Sequence, residues 1–384
     1  MMINNRNKKK LILAFNADWF ALSHFKRYIE EVSKNNFSCY LFAEDTGKLD
    51  QLKEKNVKLF PIKFGRSRGS ALEEILAFIK ILFSLLKIRP HAIEIFSIKP
   101  ILTWGLLSKL FFVRYRIFYI TGLGSLFFGK KTFKKAIFLR VLRFILSGNK
   151  SFHVVENNEI KNILIKDFYV PSDNILLLNG VGINVEKFKE IRASRPKIKN
   201  NDSYKIIMAS RLLIDKGLME YLNAANLVES CSNSKLQFFL AGKFDNINPS
   251  GVKPIDIENL IKPNGNVLYL GHVDDIPKLL TTMDIFVLPS YHEGMPKSII
   301  EATSIGLPTI TTDVIGCRES IIPGKTGLLI KPRDIHELAK AIKLLTSDWQ
   351  LYENMSAESI KYSNKNFDEN KIALKHINFI SKLN

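Results

Sequence analysis

The chain has 384 residues, 46% hydrophobic and 24% charged, enough for two domains with full cores and the balance of a soluble globular protein. Its formal net charge of +19 calls for an anionic partner, and three widely spaced cysteines (Cys39, Cys231, Cys317) fit neither a disulfide framework nor a metal centre. The opening MMINNRNKKKLILAF holds an apolar run too short for a signal peptide or a membrane span, so a cytoplasmic setting is expected.

In chain order, KLILAF (10–15) reads as a strand, and NADWFALSHF leads into a helix through about Val32. FSCYLFA and VKLFPIKF read as two more strands. The run 70–88 is a helix, apolar on nearly every face but interrupted by Glu73, Glu74, Lys80 and Lys87. It reads as a packed interior helix, with an amphipathic membrane contact as the alternative. AIEIF (92–96), RIFYI (116–120) and SFHVV (151–155) are strands followed by helical patterns. Such alternation predicts an α/β chain with a doubly wound parallel sheet, whose ligands lie beyond the carboxyl ends of the strands. Between Glu94 and Glu156 no acidic residue occurs, while eleven Lys and Arg are interleaved with Leu, Ile and Phe. That mixture suits an anionic membrane surface rather than a nucleic acid; the alternative is a general Lys-rich composition.

NILLLNGVGINVEKF (174–188) ends the first series, and RASRPKIKNNDS (192–203) reads as a polar linker. Six more strand-like runs follow: YKIIMAS, KLQFFLAG, NVLYLGH, DIFVLPS, LPTITT and TGLLI. The closing NFDENKIALKHINFISKL is an amphipathic helix. The expected domains are 1–184 with 366–384, and 185–365.

The densest chemistry lies in DIFVLPSYHEGMPKSIIE (284–301): a buried-type strand, a turn, and a helix entered through Pro296 that stops at Gly306. Glu293 precedes this helix and Glu301 lies inside it, eight residues on. Carboxylates at such a helix start can accept hydrogen bonds from neighbouring sugar hydroxyls. Arg211 and Lys216, after the first strand of the second series, offer two cations to a phosphate leaving group. Gly316, in VIGCRES, permits close backbone approach. PGKTG (323–327) is not a Walker A loop, since Glu319 stands where that pattern needs glycine. TGLGSLFFG (121–129) is not a dinucleotide fingerprint, since Phe127 takes its third glycine position.

Taken together, E-x7-E at Glu293 and Glu301, R-x4-K-G at Arg211, NGVGINVEKF and LPSYHEG resemble the retaining, GT-B-fold glycosyltransferases of family 4. T-G-L-G at 121–124, Lys99-Pro100 and His24-Phe25 resemble the branch that extends sugars on undecaprenyl diphosphate. The resemblance implies two Rossmann-like domains facing across a cleft, the last helix crossing back to the first. Glu293, Gly294, Met295 and Pro296 would hold the donor sugar, Glu301 the ribose, and Arg211, Lys216 and Gly316 the diphosphate, with Glu293, Arg211 and Lys216 serving the reaction. His24, Lys99, Thr121, Gly122 and Gly124 would face the acceptor. The implied donor is a UDP-N-acetylhexosamine or UDP-hexose, and the implied acceptor a polyprenyl-diphosphate-linked saccharide at the inner membrane face. No metal or other cofactor is expected. Thr121-Gly122 stands where many members carry a histidine, so no catalytic histidine is named. A transferase with a soluble acceptor, and a nucleotide-sugar epimerase or binding protein, remain the alternatives.

Overall fold

The computed structural model describes residues 8–35, 37–63, 71–122, 133–196, 203–229, 235–245, 248, 250–261 and 267–383. Gly124, Phe127, Phe128, Lys130 and Lys131 lie outside the described residues. The chain divides into unit 1, Met1–Val181 with Asn370–Asn384, and unit 2, Gly182–Glu369.

Unit 1 begins with β1 (Lys9–Ala17), α1 (Asp18–Lys34), β2 (Phe37–Glu44), β3 (Val57–Pro61), α2 (Ala71–Ile88) and β4 (Ala92–Phe96). It continues with α3 (Ile98–Pro100), a π-helical turn (Ile101–Gly105), α4 (Leu106–Leu110), β5 (Tyr115–Ile120) and α5 (Phe133–Leu146). Then come β6 (Ser151–Val155), α6 (Asn158–Phe168) and β7 (Ile175–Leu177). The strands are continuous apolar runs, as a sheet covered on both faces requires. All seven pair in parallel, in the order β3-β2-β1-β4-β5-β6-β7. One face packs Ile81, Leu85, Trp104, Leu142 and Leu164 from the outer helices, and the other packs Phe25 and Tyr28 of α1.

Unit 2 repeats the plan with α7 (Val185–Ala193), β8 (Ser203–Ala209), α8 (Leu218–Glu229), β9 (Lys235–Ala241), α9 (Pro254–Ile261) and β10 (Val267–Tyr269). After α10 (Ile276–Leu280) follow β11 (Ile285–Leu288), α11 (Lys297–Ile305), β12 (Thr309–Thr312) and β13 (Gly327–Ile330). The helices α12 (Ile335–Ser347) and α13 (Trp349–Asn366) close it. Its six strands are again parallel, ordered β10-β9-β8-β11-β12-β13. The order reverses between β1 and β4 in unit 1 and between β8 and β11 in unit 2. Such reversals open a crevice at the carboxyl ends of the flanking strands.

The last helix, α14 (Glu369–Ser381), returns to unit 1 and buries Ala373, His376, Ile377 and Ile380 there. Its anchor is polar. Glu94, in the middle of β4, is fully buried and accepts a hydrogen bond from the Tyr28 hydroxyl. Its other oxygen lies 2.7 Å from His376 Nε2, and the His376 ring stacks on Tyr28 at 4.1 Å.

Two expectations need correction. The helix α2 is not an interior helix: among its residues of described burial only Ala77, Ile81, Leu85 and Ile88 are buried, while Leu72, Ile75, Leu76 and Phe83 are exposed. One stripe of a helix is all that a single sheet face can cover. The polar run 192–203 does not join the units, since the chain passes between them at Val181 and Gly182. Arg192 donates to Ser304 O at 2.7 Å, and Arg195 donates to Gly306 O at 3.0 Å and Met283 O at 3.1 Å. These guanidiniums satisfy carbonyls at the end of α11 and just before β11, and so tie the start of the run into unit 2.

Candidate active site

Unit 2 assembles its site from the loops that leave β8 and β11, the two strands at its switch point. After β8 the chain makes a short 3-10 turn over Ile214–Lys216, ended by Gly217 in the left-handed region at φ 77°. A Cβ on Gly217 would lie 2.1 Å from Pro289 O, so only glycine lets this turn abut the end of β11. The contact is stitched by hydrogen bonds. Tyr291 N–H donates to Asp215 O at 2.9 Å, and Ser290 Oγ donates to the same oxygen at 3.1 Å. Thr311 Oγ1 donates to Leu288 O at 2.7 Å, which fixes β12 against the same strand end.

This seam brings Lys216 Nζ into a charge-assisted hydrogen bond with Glu293 Oε1, both side chains mostly buried. Glu293 N–H donates to Ile315 O at 3.2 Å, and Gly316 sits so close that a Cβ would fall 2.2 Å from Gly294 O. Gly316 therefore supplies the close approach that its loop requires, at φ 80°. Its N–H is engaged by Glu319 Oε2 at 2.7 Å rather than turned to a ligand. Met295 Sδ accepts a hydrogen bond from Ser320 Oγ at 3.1 Å, and Pro296 is buried at the head of α11. Glu301 lies in the second turn of that helix, its Oε1 3.8 Å from Lys297 Nζ. Burial raises its carboxyl above the usual range, and Lys297 opposes that shift.

Arg211 differs from Lys216. It is half exposed and paired with Asp245 Oδ2 at 2.8 Å, in the loop after β9. A pair so open to water contributes little to stability, so Arg211 keeps the freedom to turn to a ligand. The structure thus gathers Lys216, Glu293, Gly294 and Gly316 tightly, with Arg211 on the exposed side of the β8 loop.

Sequence reasoning missed the clamp behind the pair. Tyr291 OH donates to Glu220 Oε1 at 2.7 Å, and the Arg333 guanidinium lies 4.5 Å from the Tyr291 ring centroid. Burial and the Glu220 carboxylate push the Tyr291 hydroxyl up to about 12. These residues come from three separate segments, and no spacing in the chain announces their meeting.

In unit 1, His24, Lys99 and Thr121 follow the carboxyl ends of β1, β4 and β5, the strands at its switch point and the one beside it. Phe25 joins these ends, its ring centroid 4.6 Å from that of Phe96 and 4.9 Å from that of Tyr119. His24 Nδ1 lies 2.6 Å from Ser23 Oγ, Lys99 Nζ lies 3.9 Å from Glu74, and Thr121 and Gly122 are half-buried. A second residue without a sequence signal is Asp18, fully buried at the start of α1. Burial acts to raise its carboxyl, but hydrogen bonds from Thr46, Lys48 and Trp19 bring it below the usual range and fix the loop after β1. Among the described residues no group of three His, Cys, Asp or Glu could hold a metal ion.

Two Rossmann-like units with parallel sheets make the GT-B architecture. A solved sucrose-phosphate synthase from Thermosynechococcus elongatus has the same fold, with a TM-score of 0.80 at 19% identity, covering 98% of this chain and 99% of that one. The family model for glycosyl transferases group 1 matches residues 190–362. An N,N'-diacetylbacillosaminyl-diphospho-undecaprenol alpha-1,3-N-acetylgalactosaminyltransferase of Campylobacter jejuni is 31% identical over 291 residues, 73% of this chain and 74% of the relative. A UDP-Gal:alpha-D-GlcNAc-diphosphoundecaprenol alpha-1,3-galactosyltransferase of Escherichia coli is 32% identical over 199 residues, 50% of each. The chain belongs to the group 1 glycosyl transferases.

Proposed function

We propose that this enzyme moves a sugar, foremost an N-acetylhexosamine, from its UDP donor to a polyprenyl-diphosphate-linked saccharide during surface glycan assembly. The observation that carries the reading is the Lys216–Glu293 pair at the unit 2 switch point, in a chain whose relatives are named for transfer to diphospho-undecaprenol saccharides. With donor bound, Lys216 and Arg211 meet the charge that grows on the departing diphosphate. Glu293, Gly294, Met295 and Pro296 hold the sugar, and Glu301 accepts from the two ribose hydroxyls. Its raised carboxyl fits a buried acceptor that waits for donors. One cation held in place, Lys216, and one free to swing in, Arg211, serve the leaving group without a metal. The configuration at the anomeric carbon is retained by front-face substitution, the leaving phosphate oxygen taking the proton of the acceptor hydroxyl.

The acceptor lipid implies that unit 1 rests on the anionic cytoplasmic face of the membrane. Among the described residues no helix is long and apolar enough to cross a membrane. Peripheral contact is supported by the exposed apolar residues of α2 and, within the acid-free interval, by Phe111 and Phe112 after α4 and by Phe133, Ile137 and Phe144 of α5. Basic side chains beside them each add about 1 kcal/mol of attraction to an anionic leaflet.

The test is a panel of UDP- and GDP-sugars against a short-chain polyprenyl-diphospho-sugar. Transfer from a UDP-sugar with retained configuration is expected. Rearranged UDP-sugar in the absence of acceptor, or transfer to soluble saccharides alone, would overturn the reading.

A further inference from the structure

The outer face of unit 1 carries a feature that neither the donor site nor the acceptor residues use. Helix α5 buries Leu142, Ile145 and Leu146 and leaves Phe133, Ile137, Val141 and Phe144 exposed. These four recur at spacings of four, four and three, so they form one stripe along the helix. At the end of that stripe, Arg140, Arg143, Phe144, Ser147, Phe168 and Tyr169 line a pocket of about 370 Å³. No acidic side chain is among its lining residues.

The pocket is built from both of its walls. Tyr169 ends α6 in the left-handed conformation at φ 56°, which places its ring 5.2 Å from the Arg143 guanidinium. Stacking fixes the plane of a guanidinium while leaving its N–H edge to a ligand. Behind this wall Lys109 donates to Phe144 O, to Ser147 O at 3.0 Å and to Ser147 Oγ at 2.9 Å, which holds the end of α5 in place. Two planar forks at a small concavity match the geometry of a phosphate group.

Its place in the fold identifies which phosphate. The 14 residues of α5 span about 20 Å. The pocket lies at the C-terminal end of the helix, whereas Thr121 and Gly122, at the carboxyl end of β5, precede its start. A phosphate bound there is therefore remote from Thr121 and Gly122 at the opposite edge of the unit 1 sheet, yet continuous with an apolar stripe suited to a bilayer. We infer that the Arg140–Arg143–Tyr169 pocket binds the phosphate of an anionic glycerophospholipid headgroup and thereby orients unit 1 on the membrane. The inference rests on the membrane reading above and adds to it a discrete site that recognises phosphate rather than charge.

The experiment uses the full chain and digalactosyldiacylglycerol vesicles, which lack phosphate. They are doped either with phosphatidylglycerol or, at matched surface charge, with a carboxylate amphiphile. The wild type should sediment with both and favour phosphatidylglycerol about tenfold, since bidentate forks discriminate phosphate geometry. The double variant R140K/R143K keeps the charge and loses the forks. It should bind both vesicles alike, with donor affinity unchanged. Equal wild-type binding to both vesicles, or an R140K/R143K variant that keeps the preference, overturns the pocket and leaves the membrane reading standing. Wild-type binding to neither overturns both. Loss of the preference on adding inorganic phosphate at matched ionic strength would make free phosphate the ligand and overturn the lipid assignment.

Discussion

Units 1 and 2 share a parallel sheet with the same reversal of strand order, and they spend it differently. In unit 2 the loops at the switch point are welded by backbone contact: Gly217 against Pro289, Gly316 against Gly294, and Lys216 on Glu293. In unit 1 the corresponding strand ends carry an aromatic and polar set, while the outer helices present apolar stripes. The donor proposed for unit 2 has a fixed shape and calls for a rigid seat, and rigidity comes from glycines that admit backbone on backbone. The lipid-borne acceptor proposed for unit 1 calls for a surface, and surface is written in what a helix leaves uncovered.

The sharpest way to break this contrast is at the seat. Lys216→Ala should lower turnover about 10²–10³-fold, a cost of roughly 2.7–4 kcal/mol, with the fold intact. Arg211→Ala should do the same to a lesser degree, because Arg211 is half exposed and held only by Asp245. Steady-state kinetics with donor in excess checks both, and retention of more than about a tenth of wild-type activity in Lys216→Ala would remove its leaving-group role.

A comparable effect is expected in the interior of unit 1, on stability rather than rate. Glu156, at the end of β6, is buried beside the Tyr119 hydroxyl, and burial lifts its carboxyl from 4.5 to about 8. A raised carboxyl favours the folded state fully below its unfolded value and loses that advantage as pH climbs through the folded one. The wild type should therefore lose stability between about pH 4.5 and 8 from this group. Glu156→Gln should relieve on the order of 3 kcal/mol at pH 7 and nothing at pH 4. Denaturant titrations across that range decide it; a gain independent of pH would contradict the assignment.

Next in size is Gly316→Ala. A methyl forced against Gly294 O, at a positive φ, should cost roughly 2 kcal/mol and loosen the Glu293 loop. Weaker binding of UDP-sugar than of UDP, by calorimetry, is the expected signature, and equal loss for both would place the damage elsewhere. The smallest effect concerns α2. Phe83→Ser removes an apolar side chain that is 65% exposed, so thermal stability should hold. Partition onto anionic vesicles should fall by about 1.5 kcal/mol, and unchanged partition would detach α2 from the membrane face.

Much of the donor seat could be read from the chain because it is local. The strand Ile285–Leu288, the entry at Pro296 and the stop at Gly306 are consecutive signals that no distant residue overrides. The clamp of Tyr291 by Glu220 and Arg333 was hidden because its members meet only after folding. The interior assignment of α2 failed for a related reason: periodicity counts apolar residues and does not say which have a partner. Arg192 and Arg195 made a polar run look like a linker because their carbonyl partners lie more than eighty residues away.

The return of α14 also sets an order of events during synthesis. Unit 1 lacks its last helix until residues 370–384 exist, by which time every strand of both sheets has been made. Until then Ile377, Ile380 and His376 are missing from the face that holds Tyr28 and Glu94. Unit 1 is thus finished only after all of unit 2 has been synthesised. Unit 2, drawn from one uninterrupted stretch, can close as soon as it emerges, before α14 is made to complete the sheet cover of unit 1.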